Sequence, residues 1–505
     1  MNALGTTGRD TELSPWRDDG LVRPRRKPSG TVARPRVEVW LITLAVGTAI
    51  FLGGLLLVSP QMAFVAVAAS GVVAITCAYP AAAAFILIGA TPLIAGIDRG
   101  LLIPLLRPNE ALAVLVAVGL VLRYVPRVAV NGIPQVRVRP IDVTIIVMAV
   151  ASSILPLLWL AVRGQSATHD DYLYALIIWK YYGLFLIIRA SVRTERQVRT
   201  ALAIGLASAS IVAVIAILQS LKLFGVPGML ATYYTHFGNV RALNISRGSS
   251  TLSLPVAVAD LMILNIAVVY GWLRRTRRHR LLLSGTLVLL VFGTLASGQF
   301  SGAIALVLCA AAIVFLAQDV RPVVTAAPIV LVAGVALRSV VQNRLNGFAS
   351  PQGLPVSWVG RLQHLRTYFF PELFSRLHWV LGVRPAARVL LSERLGYVWI
   401  ESGYTWLLWA GGIPLLLSFC AFIWVNLRTM GQLARRRLDA IGMAATGCYV
   451  GLIVIAVLMM FDPHLTYRGS ADMLFALLGL ASAGTHIPAL APKGQSDHTA
   501  VGTAA

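Results

Sequence analysis

Acidic residues are scarce in this chain. Only 20 Asp and Glu are spread through 505 residues, against 43 Lys and Arg, and charged residues of both signs make up 12%. A soluble globular domain carries about 25% charged and about 45–50% apolar residues. A chain that is 57% hydrophobic cannot clothe itself in water with so little charge. Cysteine is scarce too. Cys77, Cys309, Cys420 and Cys448 all lie inside apolar runs without metal-ligand spacing. That argues against a disulfide framework or a ligand set and favours a small core residue as the reading of each. A cleavable signal peptide is also missing. The basic stretch Arg23–Gly30 precedes the first apolar run by too much, and lacks the short h-region, for a twin-arginine signal. No internal repeat is visible, which counts against an inverted-repeat transporter.

Apolar sequence of one length is abundant instead. Runs of roughly 17–22 residues recur, each long enough to cross about 30 Å of hydrocarbon as a helix, beginning with Val39–Val58 and Gln61–Tyr79. Backbone groups in lipid must be satisfied within the segment, and runs this long without alternation are not barrel strands. The pattern predicts an all-α polytopic membrane protein with about fourteen spans. They fall near 38–58, 61–79, 82–97, 107–123, 141–162, 171–190, 200–222, 252–273, 281–297, 300–318, 322–338, 402–426, 440–460 and 470–486.

The net charge of +23 is distributed as a membrane protein's. Arginine gathers in short connections: Arg123, Arg127, Arg137 and Arg139; Arg189, Arg193, Arg196 and Arg199; Arg274, Arg275, Arg277, Arg278 and Arg280; Arg428, Arg435, Arg436 and Arg437. Short loops rich in Lys and Arg stay cytoplasmic. The segments 124–140, 191–199, 274–280 and 427–438, with both termini, are therefore expected inside, and 339–400 outside. No single soluble unit collects this charge, so nucleic acid is not an expected partner. The organisation is a basic, disordered cytoplasmic tail over 1–36, eleven spans over 37–338, a long external loop with short helices over 339–400, three spans over 401–486 and a second tail over 487–505.

The external loop carries Arg344, Arg361, Arg366, Arg376, Arg384, Arg388 and Arg394 against Glu372 and Glu393. A solvated or lipid-facing basic surface is one reading. A site for an anionic ligand, gripped by guanidinium forks, is the other. Trp358, Tyr368, Phe369, Phe370, Trp379, Tyr397 and Trp399 are interleaved, as interfacial anchors, as packing, or as platforms for sugar rings.

Several local patterns stand out. Arg247-Gly248-Ser249-Ser250-Thr251 precedes a helix starting at Pro255. An Arg at the mouth of a span is costly unless paired or hydrated, and small neighbours would let a ligand approach. Ser297-Gly298-Gln299-Phe300-Ser301 at a tight turn reads as helix packing through small residues. Trp399-Ile400-Glu401-Ser402-Gly403-Tyr404 leads into a helix, with Glu401 where an unpaired carboxylate is expensive. A salt bridge is as good a reading of Glu401 as catalysis.

In their order and spacing, these patterns resemble the O-antigen ligase/polymerase superfamily, integral-membrane glycosyltransferases of the GT-C type. With them go Arg361, the Gly382-Val383-Arg384 turn and a long external loop. The resemblance implies transfer of a glycan from a polyprenyl-diphosphate donor to a glycan or lipid acceptor, outside the cytoplasm, without metal or other cofactor. Ligases of the family carry His-Asn at the start of the helix after the loop, followed by Tyr and Gly. Here Tyr404 and Gly412 fit, while Glu401 and Ser402 replace His-Asn. This departure moves the likeness toward the polymerase branch.

Leaving-group phosphate charge is stabilised by pre-placed Arg donors, and a carboxylate near the acceptor hydroxyl serves as base. Arg247, Arg361 and Glu401 are the expected catalytic residues. Arg241, Arg366, Arg384, Tyr404 and His464 are the expected binding residues, with His464 a rival base. The expected setting is the cytoplasmic membrane, in company with other envelope-polysaccharide assembly proteins. A transporter or lipid-linked-glycan flippase, and a non-catalytic scaffold, are the competing readings.

Overall fold

The computed structural model describes residues 60–103, 106–131, 138–234, 247–348, 355–392 and 396–483. The first expected span, both tails and Arg241 lie outside them. Contacts divide the chain into two units, Met1–Ala68 and Ala69–Ala505. Of the first, only the opening turns of the helix Pro60–Ala78 are described.

This is an all-α, polytopic membrane protein. Among the described residues, eight helices are long and apolar enough to span a bilayer, and a bent pair makes a ninth candidate. Ala81–Ile94, Arg280–Ala296 and Ser470–Ala483 are apolar but shorter. Pro255–Arg275 and Ala440–Leu458 form the centre: 83% of each apolar window is buried inside the protein. The remaining spans bury half or less, and Leu281, Val307, Leu331 and Leu417 stay exposed as lipid would require.

Local chemistry sets the helix starts. Thr194 and Thr168 cap their helices by accepting from Gln197 and Asp171 backbone N–H groups, Ser402 accepts from Thr405, and Asp439 accepts from Ile441 and Gly442. Pro140 and Pro255 occupy first-turn positions where no N–H is needed.

Several expected spans prove to be broken. The 141–162 run splits at Ser153, just before Pro156, which cannot supply the next helical N–H. The 171–190 run splits into His169–Ala175 and Ile177–Ser191. The 322–338 run bends by 81° between Val323–Ala336 and Arg338–Leu345. The expected 402–426 span extends over Gly403–Arg436 and is interrupted at Gly412, whose φ is 63°. A Cβ at Gly412 would collide with the Val380 carbonyl, and one at Gly382 would lie 2.9 Å from the Gly411 nitrogen. The broken helix thus receives the Gly382-Val383-Arg384 turn, and the Val383 N–H donates to the Trp409 carbonyl at 2.7 Å.

The long loop is a set of short helices, including Val356–His364, Phe370–Phe374 and His378–Leu381. It also contains an antiparallel hairpin, Arg388–Ser392 with Gly396–Trp399, which corrects the helices-only expectation. Arg388 stacks on Tyr397 at 3.9 Å and pairs with Asp170. Next to it, Asp171 is fully buried, accepting from Arg384 at 2.8 and 3.1 Å and from the Ala386 N–H. Asp171→Asn removes the charge and turns an amide against those donors. It is expected to cost about 3 kcal/mol, read as a lower unfolding midpoint in detergent.

Contacts sort the connections into two ends. Gly96 bonds Thr251, Arg468 bonds Asp98, Arg361 bonds Asp462 and Arg344 bonds Gly298, so the connections expected outside share one end. Arg123 reaches the Cys77 and Ala78 carbonyls, Arg275 reaches Ala434 and Arg437, and Arg139 reaches Ser482 at the other.

Candidate functional site

At the end where the long loop folds back, a small cleft of about 70 Å³ opens to solvent, less than the pockets that enclose a whole small molecule. Its lining comes from separated segments: Arg247; Gln299, Phe300 and Ser301; Arg344; Ser357, Trp358 and Arg361; and Phe461 and Asp462.

Arg247 is held by the small residues after it. The Gly248 N–H donates to the Ala296 carbonyl at 2.9 Å, and a Cβ on Gly248 would lie 2.6 Å from the Ala216 carbonyl oxygen. Gln219 accepts from the Ser250 N–H at 2.7 Å and donates to the Ser249 hydroxyl at 3.0 Å. Thr251 donates to the Pro92 carbonyl, and Ser253 to that of Gly96. These side chains are buried, so they anchor the backbone and do not line a ligand path. The Arg247 guanidinium has no hydrogen-bond or ion-pair partner among the described residues. Burial and the Arg361 charge push its pKa down from the ordinary value, yet a guanidinium stays charged.

Among the described residues Arg344, brought in by the bent pair, engages only neutral groups: the Gly298 carbonyl, the Gln299 amide oxygen at 3.1 Å and the Phe300 ring at 5.1 Å. Arg361 is different. It bonds Asp462 at 2.6 Å and the Phe461 carbonyl at 3.3 Å, and its Nε lies 3.7 Å from Glu401. Burial pulls its pKa down, but Asp462 and Glu401 more than offset this and leave it raised. Among the described residues, two of the three guanidiniums therefore lack a counter-ion, and the third has two.

Glu401 is outside the cleft lining but next to it. It touches Arg361, and its other oxygen is 3.7 Å from His364 Nδ1. Burial raises its proton affinity, opposed by Arg361 and His364, and the net direction is up. A raised carboxylate is a better base than a solvated one.

The remaining expected residues sit elsewhere. Arg384 is committed to Asp171. Arg366 is exposed and makes no ion pair or hydrogen bond among the described residues. Tyr404 donates its hydroxyl to the Ala456 carbonyl at 2.7 Å and sets its ring edge-on to Phe419. His464 is fully buried, bonded through Nδ1 to Asp260 at 2.8 Å. It holds a turn in place and cannot meet an acceptor there. Asp142 pairs with Arg189 at 2.8 Å and Lys180 with Asp472 at 3.4 Å.

Sequence reasoning passed over Arg344, Asp462 and three of the five residues of the Ser297–Ser301 motif as site residues. Ser297 is a packing residue, with its hydroxyl on the Thr294 carbonyl. Gln299, Phe300 and Ser301 face the cleft. The available signal was the pairing of a tight turn with a polar side chain at the mouth of a span.

Among the described residues, no group of His, Cys, Asp and Glu could hold a metal ion. The arrangement can bind a doubly charged anion between Arg247 and Arg344, beside aromatic rings, with a carboxylate in reach. No family model and no curated protein matches the chain.

Proposed function

We propose that this protein is a membrane glycosyltransferase of the O-antigen ligase/polymerase type, working at the outer face of the cytoplasmic membrane with fourteen spans and both termini inside. One observation carries the reading. Among the described residues, Arg247 and Arg344 are two guanidiniums without counter-ions in one cleft, at the end of the bundle poorer in short basic loops. Two fixed positive charges complement a diphosphate. An acceptor hydroxyl oxygen attacks the anomeric carbon of the donor, and the bond from that carbon to the diphosphate oxygen breaks. Both electrons of that bond leave with the polyprenyl diphosphate, whose charge the guanidiniums stabilise. The hydroxyl proton passes to Glu401. Asp462 fixes the Arg361 guanidinium beside Glu401.

Purified protein in liposomes with a lipid-linked oligosaccharide tests this. Lengthened or transferred glycan together with free polyprenyl diphosphate is the expected product. Movement of intact donor across the bilayer without chemistry would replace the proposal with the flippase reading.

Sidedness has its own test. In a variant lacking the four native cysteines, single cysteines at Thr367 and Arg277 are treated with an impermeant thiol reagent on intact cells. Thr367→Cys is expected to label at once, and Arg277→Cys only after permeabilisation. The reverse order would put the cleft in the wrong compartment for a lipid-linked donor.

A further inference from the structure

Three aromatic rings that the charge argument does not use stand along the same cleft. Phe300 starts the helix after the tight turn, Trp358 comes from the loop helix Val356–His364, and Phe461 from the turn after Ala440–Leu458. Trp358 stacks on Phe461 at 5.1 Å and 30°, and Phe300 meets it edge-on at 6.3 Å. Phe300 is in turn edge-on to Phe348 at 5.0 Å. Neither Phe300 nor Trp358 joins the hydrophobic clusters that hold the bundle together. An interfacial anchor turns its ring toward lipid headgroups, whereas Trp358 is turned inward, onto Phe461 and into a cleft with three arginines.

The polar part of the lining points the same way. The hydroxyls of Ser301 and Ser357 make no hydrogen bond among the described residues. Gln299 accepts from Arg344 through its oxygen, and its amide N–H groups make no bond there. A wall of this kind, with free hydroxyl and amide groups at its edge and a guanidinium against one ring, suits a sugar joined to a phosphate. The C–H face of a pyranose carries slight positive charge and meets the negative face of an indole. Its hydroxyls need donors and acceptors at the rim, and its phosphate needs Arg344. A bare isoprenoid tail would use the rings but leave the polar groups unpaired.

We propose that Trp358 is the platform for the sugar ring adjoining the donor's diphosphate, so that the cleft selects a glycosyl diphosphate over an unglycosylated lipid diphosphate. This rests on the reading of Arg247 and Arg344 as a diphosphate site. Trp358 is a specificity residue in it.

Binding to purified full-length protein in detergent tests the assignment with inorganic pyrophosphate, a short-chain polyprenyl diphosphate and the same lipid carrying one hexose. Wild-type protein is expected to bind all of them, the glycosylated lipid most tightly. Trp358→Ala is expected to lose about tenfold in affinity for the glycosylated lipid and to keep its affinity for the other two. Trp358→Phe, which keeps a smaller ring, is expected to recover most of the loss, and thermal unfolding checks that both variants fold. Equal loss for both lipids would assign the ring to the isoprenoid and overturn the proposal, as would no loss for either. Wild-type protein that binds both lipids equally overturns the sugar subsite alone. Wild-type protein that binds none of the probes overturns the diphosphate site, and the subsite with it.

Discussion

Arg247→Ala is expected to lower the rate of glycan transfer by about 10²–10³-fold, the usual cost of removing one preorganised donor from a developing anion. Among the described residues no carboxylate neutralises Arg247, so its charge is available to a ligand. Its loss leaves no orphaned partner among the described residues, and the fold should hold. Arg247→Lys is the sharper variant. It keeps the charge but loses the planar fork that grips two phosphate oxygens at once, and is expected to retain only a few per cent of activity. Rates per folded molecule, measured with a saturating lipid-linked donor, check both. Wild-type rates in both variants would remove the diphosphate from this cleft. Arg361→Ala is a less clean experiment, because it frees Asp462 and Glu401 from the cation they share and adds a structural cost to any catalytic one.

Glu401→Gln is expected to reduce transfer by about 10²–10⁴-fold, the range a positioned general base supplies, with donor binding unchanged. The pH dependence follows from the direction of the shift. Burial holds the Glu401 pKa above the usual carboxylate value. Activity of the wild-type protein should therefore rise with pH until the raised pKa is passed and then level off, and the residual activity of Glu401→Gln should lack that limb. Linkage gives the sign for stability. Between the unfolded pKa and the raised folded one, the folded state binds more protons. The contribution of Glu401 to stability thus shrinks as pH rises through that window, and Glu401→Gln is expected to be no less stable than wild type above it. A Gln variant that is less stable but turns over at the wild-type rate would make Glu401 an ion-pair partner. Asp462, which faces the cleft, would then be the carboxylate to test; His464 is buried against Asp260.

The membrane class was legible because it depends on sums. Long apolar runs and basic short connections survive any local rearrangement, and eight helices among the described residues are long and apolar enough to cross a bilayer. Breaks were less legible. Pro156 is visible in the sequence, but the interruption at Gly412 depends on the carbonyl of Val380, a residue 32 positions away, pressing where a Cβ would stand. The Arg-Gly-Ser-Ser-Thr motif shows the same limit. Its arginine was read as a ligand group and its small residues as clearance for the ligand. The arginine does line the cleft, while the small residues are occupied in packing against the helix Glu195–Ser220.

Composition and periodicity alone determined that this chain crosses a membrane many times and which connections carry its positive charge. Hydrophobic burial and charge placement act on whole segments, so a linear pattern suffices for them. Which arginines are free was decided only by the tertiary structure. Arg344, Arg361, Arg384 and Arg388 look alike along the loop, yet one faces neutral groups, one shares two carboxylates, and two are matched to Asp170 and Asp171 more than two hundred residues away. Electrostatic interaction depends on distance and burial, and neither is a property of position along the chain.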